Sequence, residues 1–486
     1  MDPTRHEEAL RPVESAALLA ALPPERVDPE LRAAARRHLA AAGRCVVAVD
    51  DDPLGTQSVH GVTVMTRWDA QDLSKALAAG DPALFLTTNS RGLPPADAEA
   101  INRSVGADLA RAAGPHPVLV SRSDSTLRGH FPGEMEALRA AWEAATGEAF
   151  DAICLVPSFP EAGRLTIGDV QWVAEGGMLF PAAQTPYARD PAFAYRHSHL
   201  PRWVEEKTGG RVRAQDVASI SLETIRQGGP EAFAEQLAAV TGGRHVVVNA
   251  ASYADLDVFA AGVRLAEAAG RRFFFRSAAP LVKALAGIPD APLLRPRELA
   301  AGRPSGGGLV LFGSHVPRST AQLRNARALA GLHAEELRVA AVLEPAAREG
   351  EVARVAAAAN TALARGEDAL VFTSREVAAA AGRAESLAIA RSVSAAMAAV
   401  VARIERDPRF LLGKGGITSS DLATEALGVR SARVLGQVLP GVPVWRPGPE
   451  SRWPGIPFVV FPGNSGTDEA VAEVVRGMRG EVRSEE

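Results

Sequence analysis

Beyond residue 44 the chain alternates short, wholly apolar runs with longer stretches in which apolar residues return at helical spacing. The apolar runs predict strands at 45–49, 62–66, 83–86, 118–120, 153–156, 217–220, 245–248 and 273–275. The periodic stretches predict helices at 95–113, 133–145, 230–240 and 254–269 between several of them. Such alternation belongs to an α/β domain with a mostly parallel sheet flanked by helices. The pattern breaks at 293–308, which holds Pro296, Pro304 and the run Gly306-Gly307-Gly308, and the domain boundary is expected there. It then restarts with strands around Leu309, Leu370, Leu411 and Phe458. The expected organisation is an N-terminal helical arm over 1–42, an α/β domain over 43–295 and a second α/β domain over 305–486.

Polar residues concentrate where the strands of the first half end. The strand at 45–49 runs into Asp50-Asp51-Asp52 and then Pro53-Leu54-Gly55-Thr56-Gln57-Ser58-Val59-His60. Carboxylates bunched at the end of a buried strand are costly unless they pair, bind a cation or accept from a ligand. The strand at 118–120 ends in Ser121-Arg122-Ser123-Asp124-Ser125-Thr126-Leu127-Arg128-Gly129, and that at 153–156 leads to Pro157-Ser158-Phe159-Pro160-Glu161-Ala162-Gly163-Arg164. Arginine pairs bidentately with a carboxylate while aspartate accepts from hydroxyls, so this mixture suits a polyhydroxylated acid. The three polar ends are expected to converge.

The second half carries a different signature, three junctions of strand, glycine turn and helix. Leu412-Gly413-Lys414-Gly415-Gly416-Ile417-Thr418 is one, with a helix expected at 421–427. The others are Gly313-Ser314-His315 before a helix at 319–330, and Pro462-Gly463-Asn464-Ser465-Gly466 before a helix at 468–478 capped by Thr467. Free backbone N–H groups at a helix N-terminus cradle anions, phosphate above all. Lys414 is one of four lysines among 53 basic residues, a compact ammonium beside a glycine turn. No Walker A sequence occurs, but three such junctions suit a nucleotide cleft at the carboxyl ends of a parallel sheet.

Composition narrows the classes. A chain of 486 residues, 47% hydrophobic and 23% charged, reads as globular, and a net charge of −4 argues against a nucleic-acid partner. No apolar run reaches transmembrane length and no signal peptide is evident, so a cytoplasmic protein without a membrane partner is expected. Cys45 and Cys154 sit in strand patterns as buried, reduced thiols, which excludes a cysteine-built metal site. Trp172 and Tyr195 are expected in packing, and His60 and His315 as polar lining.

Taken together, Asp51-Asp52 with Gly55, Asp124-Ser125-Thr126-Leu127-Arg128-Gly129, the run 157–164 and Gly313-Ser314-His315-Val316-Pro317 resemble the four-carbon acid sugar kinases. Gly415-Gly416-Ile417-Thr418 and Leu439-Pro440-Gly441-Val442-Pro443 fit the same family, and the motifs stand in the family's order from about residue 44 to 466. The resemblance implies an ATP-dependent kinase acting on a terminal hydroxyl of a short sugar acid, with Mg2+ accompanying the nucleotide. It also implies a substrate-binding N-terminal domain, a nucleotide-binding C-terminal domain and a reaction in the cleft between them. Phosphoryl transfer needs a carboxylate to accept the attacking hydroxyl's proton, and Asp124 or Asp52 is expected as that general base. Asp51, Gln57, Arg122, Ser125, Thr126, Arg128 and Arg164 face the acid, with Asp51 helping to hold Mg2+ through water. Ser314, Ser374, Lys414, Gly415, Gly416, Ile417, Thr418 and Gly463 face ATP. The sequence departs from the family where its usual D-D-L-T-G-A reads Asp51-Asp52-Pro53-Leu54-Gly55-Thr56, and where a frequent lysine is Arg122; both changes are expected on the substrate side. A tetronate, a 3-oxo-tetronate or a branched oxo acid would fit, and a homodimer stays open. The alternatives are an ATP-dependent acid ligase or synthetase and a non-catalytic ligand-sensing relative.

Overall fold

The computed structural model describes residues 10–112, 116–303, 306–314, 316–375 and 383–481, with the backbone alone at 383–387 and 417. His315 and Pro304 lie outside the described residues. The chain divides into two compact units, Met1–Asp51 with Trp68–Asp290, and Asp52–Arg67 with Ala291–Glu486. Each is α/β, with a mostly parallel sheet flanked by helices.

In the first unit the sheet order is Ala218–Ile220, Arg244–Val248, Ala152–Val156, Phe273–Ser277, Val118–Arg122, Val46–Asp50 and Ala83–Thr87, and every neighbouring pair is parallel. The five strands that follow Arg244–Val248 in that order are buried at every residue, which is why they read as apolar runs. Parallel strands place all their carboxyl ends, and hence Asp50, Arg122 and Ser277, on one side.

A second, antiparallel sheet of Val13–Glu14, Met178–Pro181, Val170–Glu175 and Arg164–Ile167 was not anticipated. The arm at 1–42 is therefore not purely helical. Its first described residues add a strand to that sheet, and the helices Ser15–Ala20 and Pro29–Ala41 follow, separated by Pro23 and Pro24. Leu10, Val13, Leu18 and Leu22 pack on Leu165, Ile167, Trp172 and Leu179, so the arm covers the sheet with its apolar side chains.

In the second unit Phe458–Phe461, Leu411–Lys414, Leu309–Phe312, Asp368–Thr373 and Leu332–Leu337 form a parallel set. Val442–Pro447, Ser431–Leu439 and Val62–Met65 extend it antiparallel. The last pairing explains why residues 52–67 leave the stretch 43–295 in which contiguity had put them. Val62–Met65 bonds to Ser431–Leu439, and Trp445 Nε1 donates to Thr56 Oγ1 at 2.9 Å. The helix expected at 421–427 starts earlier, at Gly416, and continues as a wider turn over Leu422–Ala426. The last helix begins at Ala470 with Glu469 as its N-cap, so Thr467 does not cap it. Cys45 and Cys154 are free and buried, and burial pushes the Cys45 thiol up to about 12. No described helix is long and apolar enough to cross a membrane.

Candidate active site

Within the first unit, three carboxyl-terminal strand ends gather one charge cluster. Arg122, the last residue of its strand, donates from Nη1 to Asp50 Oδ1 at 2.7 Å, and both side chains are buried. Asp51, 3% exposed, is clasped by Arg91 through Nη2–Oδ1 at 2.6 Å and Nε–Oδ2 at 3.1 Å. Ser123 Oγ donates to the same Oδ2 at 2.7 Å. Burial opposes ionisation of Asp51, but the Arg91, Arg122 and Arg276 charges outweigh it and hold the carboxyl below its usual range. Arg276, almost wholly buried on the adjacent strand, is pushed down to about 10 by burial, against the charges of Asp51 and Glu134.

The run 124–129 folds back on itself beside this cluster. Asp124 Oδ2 accepts from Arg128 Nε at 2.6 Å and from Thr126 Oγ1. Despite burial, Arg128 and Arg91 keep the Asp124 carboxyl far below the ordinary carboxylate range, so it is ionised at neutral pH. The loop requires a left-handed Leu127, at φ 67°, and a Gly129 at φ 121°. A Cβ on Gly129 would sit 2.6 Å from Ser123 Oγ and 3.1 Å from Asp51 Oδ2. The Ser125 carbonyl is held by Gln171 Nε2 at 2.8 Å, and Tyr195 Oη donates to the Thr126 carbonyl at 2.8 Å. Ser125 itself is buried. Arg164 and Arg128 lie against the same ring, that of Tyr187, at 5.6 and 5.1 Å. The polar ends at 118–129 and 157–164 are thus brought together.

In the second unit the three glycine turns meet around Ser314 and Thr418. A Cβ on Gly313 would fall 2.0 Å from Thr418 Oγ1, one on Gly415 3.3 Å from both Ser314 Cβ and Thr418 Oγ1, and one on Gly463 3.0 Å from Ser314 Oγ. Only glycine lets backbones from three strand ends approach this closely; the Gly313, Ser314 and Gly415 N–H groups bond the Lys414 and Phe461 carbonyls, so the main-chain donors left to an anion are those of the first turn of the Gly416–Asp421 helix. Lys414 is fully buried, and its Nζ donates to the Pro462 and Gly463 carbonyls, the latter at 3.1 Å. Burial, then the Arg318 charge, pushes its ammonium down to about 7. Ser374 Oγ donates to Glu336 Oε1 at 2.6 Å and accepts from Val339 N, so its hydroxyl is spent on its own scaffold. The Ile417 side chain lies outside the described residues.

Three residues expected with the substrate loops, Asp52, Leu54 and Gln57, lie in this unit instead. The carboxylate of Asp52 caps the turn Pro53–Ser58 by accepting from Leu54 N at 2.8 Å, and a Cβ on Gly416 would lie 3.1 and 3.2 Å from its oxygens. Leu54 is 3.3 Å from the same point, so the Thr-to-Leu departure touches the glycine turn rather than the acid loops. Gln57 Nε2 donates to the Gly441 carbonyl at 3.1 Å. The cause is local. Asp52 is extended, at φ −153° and ψ 136°, and successive side chains of an extended chain point to opposite sides. Asp51 and Asp52 therefore part company.

Sequence reasoning passed over Arg91, Arg276, Glu134 and Arg375. Glu134, buried in the first turn of the helix Gly133–Thr146, accepts from Ser90 Oγ, and burial together with the Asp51 charge raises it to about 7. Arg91 and Arg276 each stand one turn or less beyond an apolar run, and their position at a strand's carboxyl end was the available signal.

Comparison with known proteins also divides the chain in two, with residues 52–67 counted in the first part. Residues 46–285 match the model of a sugar-binding N-terminal domain, and residues 309–471 that of a nucleotide-binding C-terminal domain. The chain belongs to the four-carbon acid sugar kinase family. Among its curated relatives are a D-threonate kinase of Bordetella bronchiseptica, 38% identical over 33% of this chain, and a D-erythronate kinase of Heliobacterium modesticaldum, 32% identical over 37%. Each match takes in 38% of the relative's own length. Solved structures share the fold: a Salmonella typhimurium LT2 protein described as a tRNA synthase has a TM-score of 0.65 at 19% identity, covering 90% of this chain and 99% of that one. A Haemophilus influenzae protein has 0.56 at 17%, covering 89% and 99%. The acid-and-arginine cluster falls within the sugar-binding match and the glycine bed within the nucleotide-binding one.

Proposed function

We propose that the chain is an ATP-dependent kinase that phosphorylates a terminal hydroxyl of a short sugar acid, with the acid bound by the unit carrying Asp124 and the nucleotide by the unit carrying Gly415 and Gly416. The observation that carries this reading is the state of Asp124: ionised, and set by Arg128 beside a cluster of further guanidiniums at the carboxyl end of a parallel strand. That is the pairing a hydroxy acid needs, a carboxylate for its hydroxyl and cations for its charge. Two named relatives act, by their names, on D-threonate and D-erythronate, which supports a four-carbon acid.

In this reading Arg91 exchanges one arm of its clasp on Asp51 for the substrate carboxylate, while Arg122 stays on Asp50. Asp124 accepts the hydroxyl's hydrogen bond and orients its oxygen. A carboxylate held so far below its usual range is a weak base, which suits phosphoryl transfer, where positioning and charge neutralisation do most of the work. Asp52 takes a different role from the general base: beside Gly416 it stands where the nucleotide's phosphates would lie. Mg2+, when bound with ATP, neutralises phosphate charge. The hard oxygens of Asp52 and the Thr418 hydroxyl suit that ion. The test is ADP release on mixing ATP, Mg2+ and candidate acids. Turnover without an amine or thiol acceptor supports a kinase, and turnover only with one would replace it by a ligase.

A further inference from the structure

We propose that Arg375 binds the phosphate chain of the nucleotide, an inference that rests on the kinase reading above. Arg375 follows the strand Asp368–Thr373, hydrogen-bonded neighbour of Leu309–Phe312, whose end leads into Gly313 and Ser314. Its Nη2 donates to the Ser314 carbonyl at 2.8 Å and to Thr320 Oγ1 at 2.7 Å. The guanidinium is therefore anchored on the residue against which Gly415 and Gly463 close.

The rest of that guanidinium is unspent. Among the described residues Nε and Nη1 are buried without a hydrogen-bond partner. Two other arginines show the usual alternative: the buried Arg226 bonds Asp255 at 2.8 and 2.9 Å, and the half-buried Arg479 bonds Asp368 at 2.7 Å. Arg375 meets no carboxylate among the described residues, and burial alone pulls its pKa down. A buried cation without a counter-charge is unfavourable unless an anion completes it.

The rest of the site makes the same demand. Lys414 gives its ammonium to the Pro462 and Gly463 carbonyls, so it holds the turn. Arg318, in the first turn of the helix Pro317–Arg327, sits at the end where a positive charge opposes the helix dipole, and its Nη1 is occupied by the Gly466 carbonyl at 2.7 Å. The Arg375 and Arg318 guanidiniums and the Lys414 amine surround the Ser314 and Gly463 turns, and the two unspent Arg375 donors, Nε and Nη1, lie on different edges of its guanidinium, as suits a polyanion met at more than one oxygen.

The test compares ATP, ADP and adenosine binding by the wild-type chain, Arg375→Ala and Arg375→Lys, by calorimetry in Mg2+ buffer, with steady-state kinetics alongside. Arg375→Ala is expected to weaken ATP about 100-fold, leave adenosine unchanged and leave the KM for the acid unchanged, with partial recovery on adding guanidinium. Arg375→Lys keeps the charge without the planar set of donors and is expected to lose about 10-fold for ATP, which covers a failure of the alanine variant to fold. Wild-type ATP affinity in Arg375→Ala, or an equal loss for adenosine as from a merely structural role, would overturn the inference. A wild-type chain that binds no ATP would sink the kinase reading and this inference with it.

Discussion

Arg91 and Asp51 form a two-armed clasp, Nη2–Oδ1 at 2.6 Å and Nε–Oδ2 at 3.1 Å, in which the aspartate is 3% exposed and the arginine 20%. The buried partner depends on the more accessible one. Arg91→Met leaves Asp51 with Arg122 at 3.8 Å, Ser123 and the Arg276 charge as its support. We expect a stability loss of about 3 kcal/mol in urea titration. In steady-state assays kcat/KM for the acid should fall about 100-fold while the KM for ATP holds, since a lost charge-assisted pair acts only on the group it binds.

Glu134 gives the first unit a pH dependence. Burial, then the Asp51 charge, raises its carboxyl from 4.5 to about 7. Between those values the folded chain keeps a proton that the unfolded chain has released. The stability this group contributes is fully present below pH 4.5 and lost as pH rises through 7. The loss amounts to about 3 kcal/mol by pH 8. Glu134→Gln keeps an acceptor for Ser90 and cannot ionise. It should match the wild type at pH 4.5 and exceed it at pH 8, by chemical denaturation at both values.

Lys414 predicts a proton linkage of the opposite sense. Its folded-state ammonium is lowered from 10.5 to about 7, so at pH 8 it is largely neutral. Phosphates arriving beside the Pro462–Gly463 turn would restore the charge, and ATP binding at pH 8 should take up about one proton. Calorimetry in buffers of different ionisation enthalpy measures that uptake, and Lys414→Met should abolish it.

Two glycines separate the sites. Gly129→Ala puts a Cβ 2.6 Å from Ser123 Oγ at a φ of 121°, and should cost more than about 2 kcal/mol of stability while raising the KM for the acid. Gly416→Ala meets the Asp52 oxygens at 3.1 and 3.2 Å and Leu54 Cδ1 at 3.3 Å. The Gly416 change should raise the KM for ATP and leave that for the acid alone.

The parallel strands were legible in the sequence because burial on both faces writes them as plain apolar runs, from Val46–Asp50 to Phe458–Phe461. The hairpin Ser431–Leu439 and Val442–Pro447 was not, since Gly436 and Pro443 interrupt its alternation, and Leu332–Leu337 reads Leu-His-Ala-Glu-Glu-Leu, poor in strand-formers. Asp51 and the run 124–128 stood out because charges at a strand's end need an explanation. Asp52, Leu54 and Gln57 were misplaced because nothing near residue 62 in the sequence names its partner, Val434. Arg91 was missed since the carboxylate that defines it, Asp51, is on another strand's end.

The most direct measurement is ADP release with ATP and Mg2+ across C4 and C5 sugar acids and their 3-oxo forms, comparing the wild-type chain with Asp124→Asn. The account predicts turnover of one acid, with the phosphate on its terminal hydroxyl, and a loss of about 1,000-fold or more in the variant. No turnover of any acid by a chain that binds ATP, or an Asp124→Asn variant as active as the wild type, would contradict it.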